Sequence, residues 1–203
     1  MNTESRIETK AKLSDDNFLN SSSWRKWSFW RDVFLYYWIF ALAGHVLELI
    51  WGGLGVLTGL RSLESFQTIP VIAVAAPYGF GAVILHLTVY PLVQQRKLKI
   101  VGTFLISMFL MTAVEFLCAL FIFLVTGHNA FWDYSNRFMN LFGFVCLGNS
   151  LLFGLASVLA VNLVFPPFDK LLDKISNSWR NWIYAAIFPS YITIQIVHLA
   201  VGL

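Results

Sequence analysis

IVGTFLISMFLMTAVEFLCALFIFLV, residues 100–125, is 26 residues long and contains one charge, Glu115. A helix of that length spans more than the roughly 30 Å hydrocarbon core of a bilayer, which takes about 20 residues. FLYYWIFALAGHVLELIWGGLGVL, residues 34–57, repeats the pattern, again with a single acid, Glu48. These two runs define an integral membrane protein. They also pose its main question, because a carboxylate near mid-membrane costs roughly 2.5–3.5 kcal/mol on insertion scales.

The rest of the chain agrees. Of its 203 residues 58% are hydrophobic and 12% charged, about half the charge fraction of a soluble domain. The apolar runs predict an all-α, polytopic helical bundle of about five spans, near 33–57, 69–93, 100–126, 139–165 and 181–202. They form a single transmembrane domain over 33–203, and so little polar sequence remains that no soluble catalytic domain is expected. No Walker A, Rossmann or zinc-finger pattern occurs, so ATP hydrolysis would have to come from a separate ATPase subunit. Residues 1–23 read as a disordered, cytoplasmic N-terminus without a signal peptide. WRKWSFWRD, residues 24–32, alternates Trp24, Trp27, Phe29 and Trp30 with Arg25, Lys26 and Arg31, the composition of an interfacial collar. Cys118 and Cys146 fall inside predicted spans and read as packing residues, with no disulfide or metal framework implied.

Twelve of the 14 lysines and arginines lie in the N-terminal segment and the second and fourth connections, leaving only Arg61 and Arg137 elsewhere. The positive-inside rule then sets the N-terminus in the cytoplasm and the C-terminus outside. In that orientation Glu48 and Glu115 share a depth in the outer half, with Tyr78, Cys146 and Asn149 near them. The inner halves read as apolar, with His86 and Asn162 as exceptions.

Glycines at 44, 52 and 55 share a stripe with Glu48 and predict that this acid points into the bundle. Gly143, Ser150, Gly154 and Ser157 predict a comparable stripe on the fourth helix, and Gly79 with Ala82 on the second. The order of acid, outer loop, inward helix and aromatic–proline pair (Tyr90-Pro91, Phe165-Pro166) occurs twice, which suggests a parallel two-helix repeat with a fifth helix added.

Several motifs were weighed for chemistry. His45 and Glu48 form H-x-x-E on one helix face, a weak metal signal that lacks further ligands and reads better as a proton-linked or hydrogen-bonded pair. His86 and His198 stand isolated in apolar sequence, and haem is not implied. The outer loop from Trp132 through Asp133, Tyr134 and Arg137 to Asn140 mixes charge, amide and aromatic groups. It reads either as an interfacial turn with Asp133 paired to Arg137, or as a lid or headgroup-binding rim over the acids. No nucleophile elbow or Ser–His–Asp order appears, and nothing supports nucleic-acid binding.

Glu115-Phe116-Leu117-Cys118, followed by F-W-D-Y-S-N-R-F-x-N-L-x-G-x-x-C-L over Phe131 to Leu147, resembles the signature of the bacterial "putative ABC-transporter type IV" membrane-protein family. P-Y-G-F-G-A over Pro77 to Ala82, A-G-H-V-L-E over Ala43 to Glu48, and Arg61-Ser62 extend the resemblance across about residues 35–170. Phe131, Phe144, Phe153, His45 and Ala75-Ala76-Pro77 depart from the family pattern, so the chain reads as a divergent member. The resemblance implies a multi-span plasma-membrane permease.

The combined expectation is a transport or substrate-binding component with an outward-facing site for a small molecule or lipid headgroup. Its residues would be Glu48, Glu115, His45, Tyr78, Asn149, Trp132, Asp133, Tyr134, Arg137 and Asn140, with no cofactor and no metal. Membrane lipids, an ATPase subunit or further copies of the chain are the expected partners. Two alternatives stand beside it: a membrane-embedded enzyme acting on a lipid-linked substrate, with Glu48 or Glu115 as general base, and a non-transporting accessory or immunity protein.

Overall fold

The computed structural model describes residues 24–59, 62–63, 75–128 and 132–201, with the side chains of 195 and 197–201 left aside. The expected disorder of 1–23, the polar loop around Arg61 and Glu64, and the role of His198 all fall outside what is described. The helices are α1 (Trp27–Leu57), α2 (Ala76–Gln94), α3 (Ile100–Thr126), α4 (Leu147–Leu159), α5 (Phe165–Asp173) and α6 (Asn177–Val201). A π-helical segment, Ala160–Val164, joins α4 to α5 without a break. Between α3 and α4 lies a two-residue antiparallel ladder, β1 (Asn140–Leu141) with β2 (Val145–Cys146), pairing Asn140 with Cys146.

Among the described residues four helical stretches are long and apolar enough to cross a membrane: α1, α2, α3, and α4 through α5 taken as one. The protein is therefore a helical membrane bundle. α6 has the expected length, 25 residues, but its first turns carry Asn177, Arg180 and Asn181, so it is less apolar than the four. The fourth span is displaced from its expected 139–165 to Leu147–Asp173. Residues 139–146 are not helical because Met139, Phe142 and Gly143 take left-handed φ angles of 50°, 55° and 72°. Gly143 therefore belongs to a hairpin turn, not to a helix stripe. Ser150, Gly154 and Ser157 do line the buried face of α4.

α2 runs back along α1, and the Ala75 amide donates to the Ala41 carbonyl at 3.1 Å. Close approach is set by small residues. A side chain at Gly44 would meet the Tyr78 ring at 2.3 Å, and one at Gly79 would meet the Tyr37 ring at 2.6 Å. α3 packs against both α2 and α4 along Thr103, Ser107, Met111, Glu115 and Ala119, a buried stripe with a strict four-residue step. Such spacing puts one residue per turn on the same helix face. α6 lies parallel to α1 through an aromatic ladder. Trp27 meets Tyr184, Phe34 meets Phe188, and the Tyr37 and Tyr191 hydroxyls are 3.0 Å apart.

The core gathers Tyr36, Leu85, Val89, Tyr90, Val161 and Phe165 between α1, α2 and the π segment. Tyr90 and Phe165, the aromatic members of the two aromatic–proline pairs, meet here with ring centroids 5.6 Å apart. Along the bundle α1 packs against α2 and α3 against α4.

Candidate functional site

Polar groups collect at two levels of the bundle. We call them the loop end, beside the hairpin, and the basic end, where α1, α3 and α6 begin.

At the loop end, Glu115 is only 5% exposed. The loop before α4 turns back into the bundle to reach it. The Tyr134 hydroxyl donates to Glu115 Oε1 at 3.1 Å, and the Asn149 amide, from the first turn of α4, donates to the Tyr134 oxygen. Glu115 Oε2 is buried and has no hydrogen-bond partner among the described residues. No lysine, arginine or histidine pairs with this carboxyl among the described residues either. Tyr78, in the first turn of α2, lies within the electrostatic reach of both Glu48 and Glu115. Two carboxylates on different helices thus lie near the same tyrosine. Burial, and after it the Glu115 carboxyl, raises the pKa of the Tyr134 hydroxyl above its ordinary value, which keeps it a neutral donor.

The hairpin is built to hold Tyr134 in place. The Tyr134 amide donates to the Gly143 carbonyl at 2.8 Å, and the Trp132 indole donates to the Phe144 carbonyl at 2.9 Å. Asn140 bridges the turn, its amide donating to the Ser135 and Arg137 carbonyls and its oxygen accepting from the Gly143 amide. Phe144, one of the departures from the family pattern, is buried against the rings of Phe116 and Phe123 on α3. The hairpin is therefore clamped to α3 by packing as well as by hydrogen bonds.

Of the ten residues expected at a site, the structure brings Glu48, Glu115, Tyr78, Tyr134 and Asn149 together. Trp132 and Asn140 shape the loop, and His45 is buried on α1. Asp133 accepts from the Ser135 amide and hydroxyl, at 2.9 and 2.5 Å, which closes a local turn. The expected pairing of Asp133 with Arg137 does not form, and Arg137 is exposed. Glu48 also differs from expectation: it is exposed, not turned inward. The reason is a length mismatch. α2 begins level with Ala41–Gly44, whereas α1 continues to Leu57, so Glu48 lies at the rim, just beyond the start of α2.

The basic end holds buried charges just beyond the expected spans. Arg31, read as a headgroup cation, is 2% exposed. Its guanidinium donates to Asp32 Oδ1 at 2.7 Å, to Asn181 Oδ1 at 2.7 Å and to Asn177 Oδ1 at 3.0 Å. Arg180 donates to Asp32 Oδ2 at 3.1 Å and to the Leu172 and Ile175 carbonyls at 3.0 Å. One buried carboxylate thus holds two guanidiniums and ties α1 to the start of α6. His86 is not isolated. Its Nε2 lies 2.8 Å from Asp169 Oδ2, with both side chains buried, and Tyr36, Tyr90 and Phe165 pack around the ring. The π segment helps make this pairing. It inserts one extra residue into the helical repeat and sets Val161, Phe165 and Asp169 at a strict four-residue step facing α2.

Asp32, Asp169 and Arg180 were missed by the sequence reading, which counted the charges near span ends only as topology signals. Asp169, three residues after Pro166, was a usable signal: an acid in the continuation of an apolar run, facing the same problem as Glu48.

The fold defines a polytopic helical membrane protein with buried polar groups at both ends of its bundle. A family model described as "Putative ABC-transporter type IV" matches residues 35–199, and the chain belongs to that family. Membership gives it a transport role in the general sense and confirms the resemblance carried by the Trp132–Leu147 block. No curated protein and no solved structure matches the chain.

Proposed function

We propose that this chain is the ligand-binding membrane component of a transporter and that its site opens at the loop end. The ligand carries a cationic group, an amine or quaternary ammonium, on a small molecule or a lipid headgroup. Glu115 takes the charge at the buried floor and Glu48 at the rim. Tyr78 lies near both acids, and Tyr134 with Asn149 fixes the Glu115 carboxyl.

The observation that carries this reading is the second oxygen of Glu115, buried yet without a cation or a hydrogen-bond donor among the described residues. An ionised carboxylate left in that state costs several kcal/mol, and a bound cation would offset the cost. The exposed apolar tip of the hairpin, Phe138, Leu141 and Phe142, would rest in the outer leaflet and make the loop a rim of the site. The charge bias favours a basic end facing the cytoplasm of a bacterial plasma membrane. An ATPase subunit, if one is engaged, would dock on the short basic connections there; a homo-oligomer is the other assembly consistent with so small a bundle.

Thermal unfolding of purified protein in a series of primary and quaternary amines tests the reading. A ligand at 100 times its Kd stabilises by about 2.7 kcal/mol. At least one amine should raise the midpoint of the wild-type protein, its neutral alcohol analogue should not, and Glu115→Gln should abolish the rise. No response to any amine, or an equal response from Glu115→Gln, would overturn the proposal.

A further inference from the structure

The basic end holds an open groove of about 430 Å³, within the range of roughly 300–1,000 Å³ that holds small-molecule ligands. It lies at the opposite end of the bundle from Glu115. Val93 at the end of α2, Leu98 in the connection and Val101 in the first turn of α3 form its apolar wall; Lys99, Thr103 and Asn162 supply its polar atoms. Asn162 sits on the π segment and is exposed, a polar side chain on the outer face of a membrane span. Its amide nitrogen donates to the Val158 carbonyl at 2.8 Å.

Lys99 lines the groove, and Arg96 and Lys97 lie two to three residues before it in the same connection; all three are exposed. Among the described residues no carboxylate pairs with any of them. They contrast with Arg31 and Arg180 at the same end, whose charges are matched by Asp32. α3 also begins here, and its first amides have no side-chain cap, so the positive end of its dipole adds to the field.

From the joining of an apolar groove to three unmatched cations we infer a binding site for one anionic phospholipid of the surrounding bilayer. The phosphate meets Lys99, with Arg96 and Lys97 beside it, an acyl chain lies along Val93, Leu98 and Val101, and the exposed Asn162 faces the glycerol region. Such a lipid would fasten α2, α3 and the π segment together where the protein itself leaves a gap. The site is independent of the proposed transport ligand and requires only that the protein reside in a membrane.

The test is lipid retention, read by native mass spectrometry after release from nanodiscs of equimolar phosphatidylglycerol and phosphatidylcholine. The wild-type protein should retain one phosphatidylglycerol in preference to phosphatidylcholine. Each cation near a membrane surface contributes on the order of fivefold to anionic-lipid affinity, so Arg96→Gln/Lys97→Gln/Lys99→Gln should lower the preference by roughly tenfold or more. Val101→Trp fills the groove and leaves all three cations in place; it should lose the retained lipid, which diffuse attraction to a basic surface would not explain. Equal retention of the two lipids by the wild-type protein, or undiminished phosphatidylglycerol on Val101→Trp, would overturn the inference. Val101→Trp also covers the case in which the triple variant fails to insert.

Discussion

The two ends of the bundle handle buried carboxylates in opposite ways. At the basic end Asp32 lies between two guanidiniums and Asp169 faces His86. At the loop end Glu115 is equally buried but meets only a neutral donor, Tyr134, itself held by Asn149, and one of its oxygens has no partner among the described residues. A matched charge pair is complete within the protein and acts as a strut. A buried acid held by neutral groups is incomplete, and that difference, more than intramembrane position alone, separates scaffold from candidate site.

The comparison can be broken by mutation, most severely at the basic end. Asp32→Ala leaves Arg31 buried beside an empty position and should cost about 3–5 kcal/mol, the range seen when one partner of a buried pair is removed. Unfolding in mild detergent measures it, and a loss below about 1 kcal/mol would show that the α1–α6 strut is not structural. Tyr134→Phe removes a hydrogen bond to a carboxyl and frees the hairpin, at about 1.5–3 kcal/mol; proteolysis within residues 132–146 should rise with it. Gly44→Val forces a side chain into the Tyr78 ring and should cost about 1–3 kcal/mol through overpacking. Gly53→Ala, with nothing within 4 Å of an added Cβ, should cost nothing and gain up to about 1 kcal/mol of helix propensity. Glu115→Gln keeps an acceptor for Tyr134 and removes the unpaired charge, so the ligand-free protein should be no less stable than wild type, while any response to amines is abolished. A large loss of stability from Glu115→Gln would move this acid into the scaffold class.

The sequence made the membrane bundle legible because hydrophobic length is a property of local composition. α3 ends where the apolar run predicts, at Thr126. The fourth span does not begin where its run begins, because the left-handed turn at Met139, Phe142 and Gly143 depends on Asn140 bridging the chain, a contact invisible to hydropathy. Glu115 and Asn149 were legible as neighbours in depth, and Tyr134 as part of the loop above them. The exposure of Glu48 was not, since it follows from where α2 starts relative to α1. Arg31 shows the main limit most clearly. Beside three tryptophans it reads as an interfacial cation, and only the packing of α6 against α1 takes it out of water. The His86–Asp169 pair was hidden by a sequence separation of 83 positions and by the change of phase at the π segment.

The central claim is that Glu115 is the floor of a ligand site and the basic-end acids are not. A density map of the protein purified in native lipid tests it most directly. Non-protein density within hydrogen-bond distance of Glu115 Oε2, lost in Glu115→Gln and absent beside Asp32 and Asp169, is the predicted result. A map in which Glu115 is satisfied by protein atoms alone, with the surrounding space closed, would contradict it.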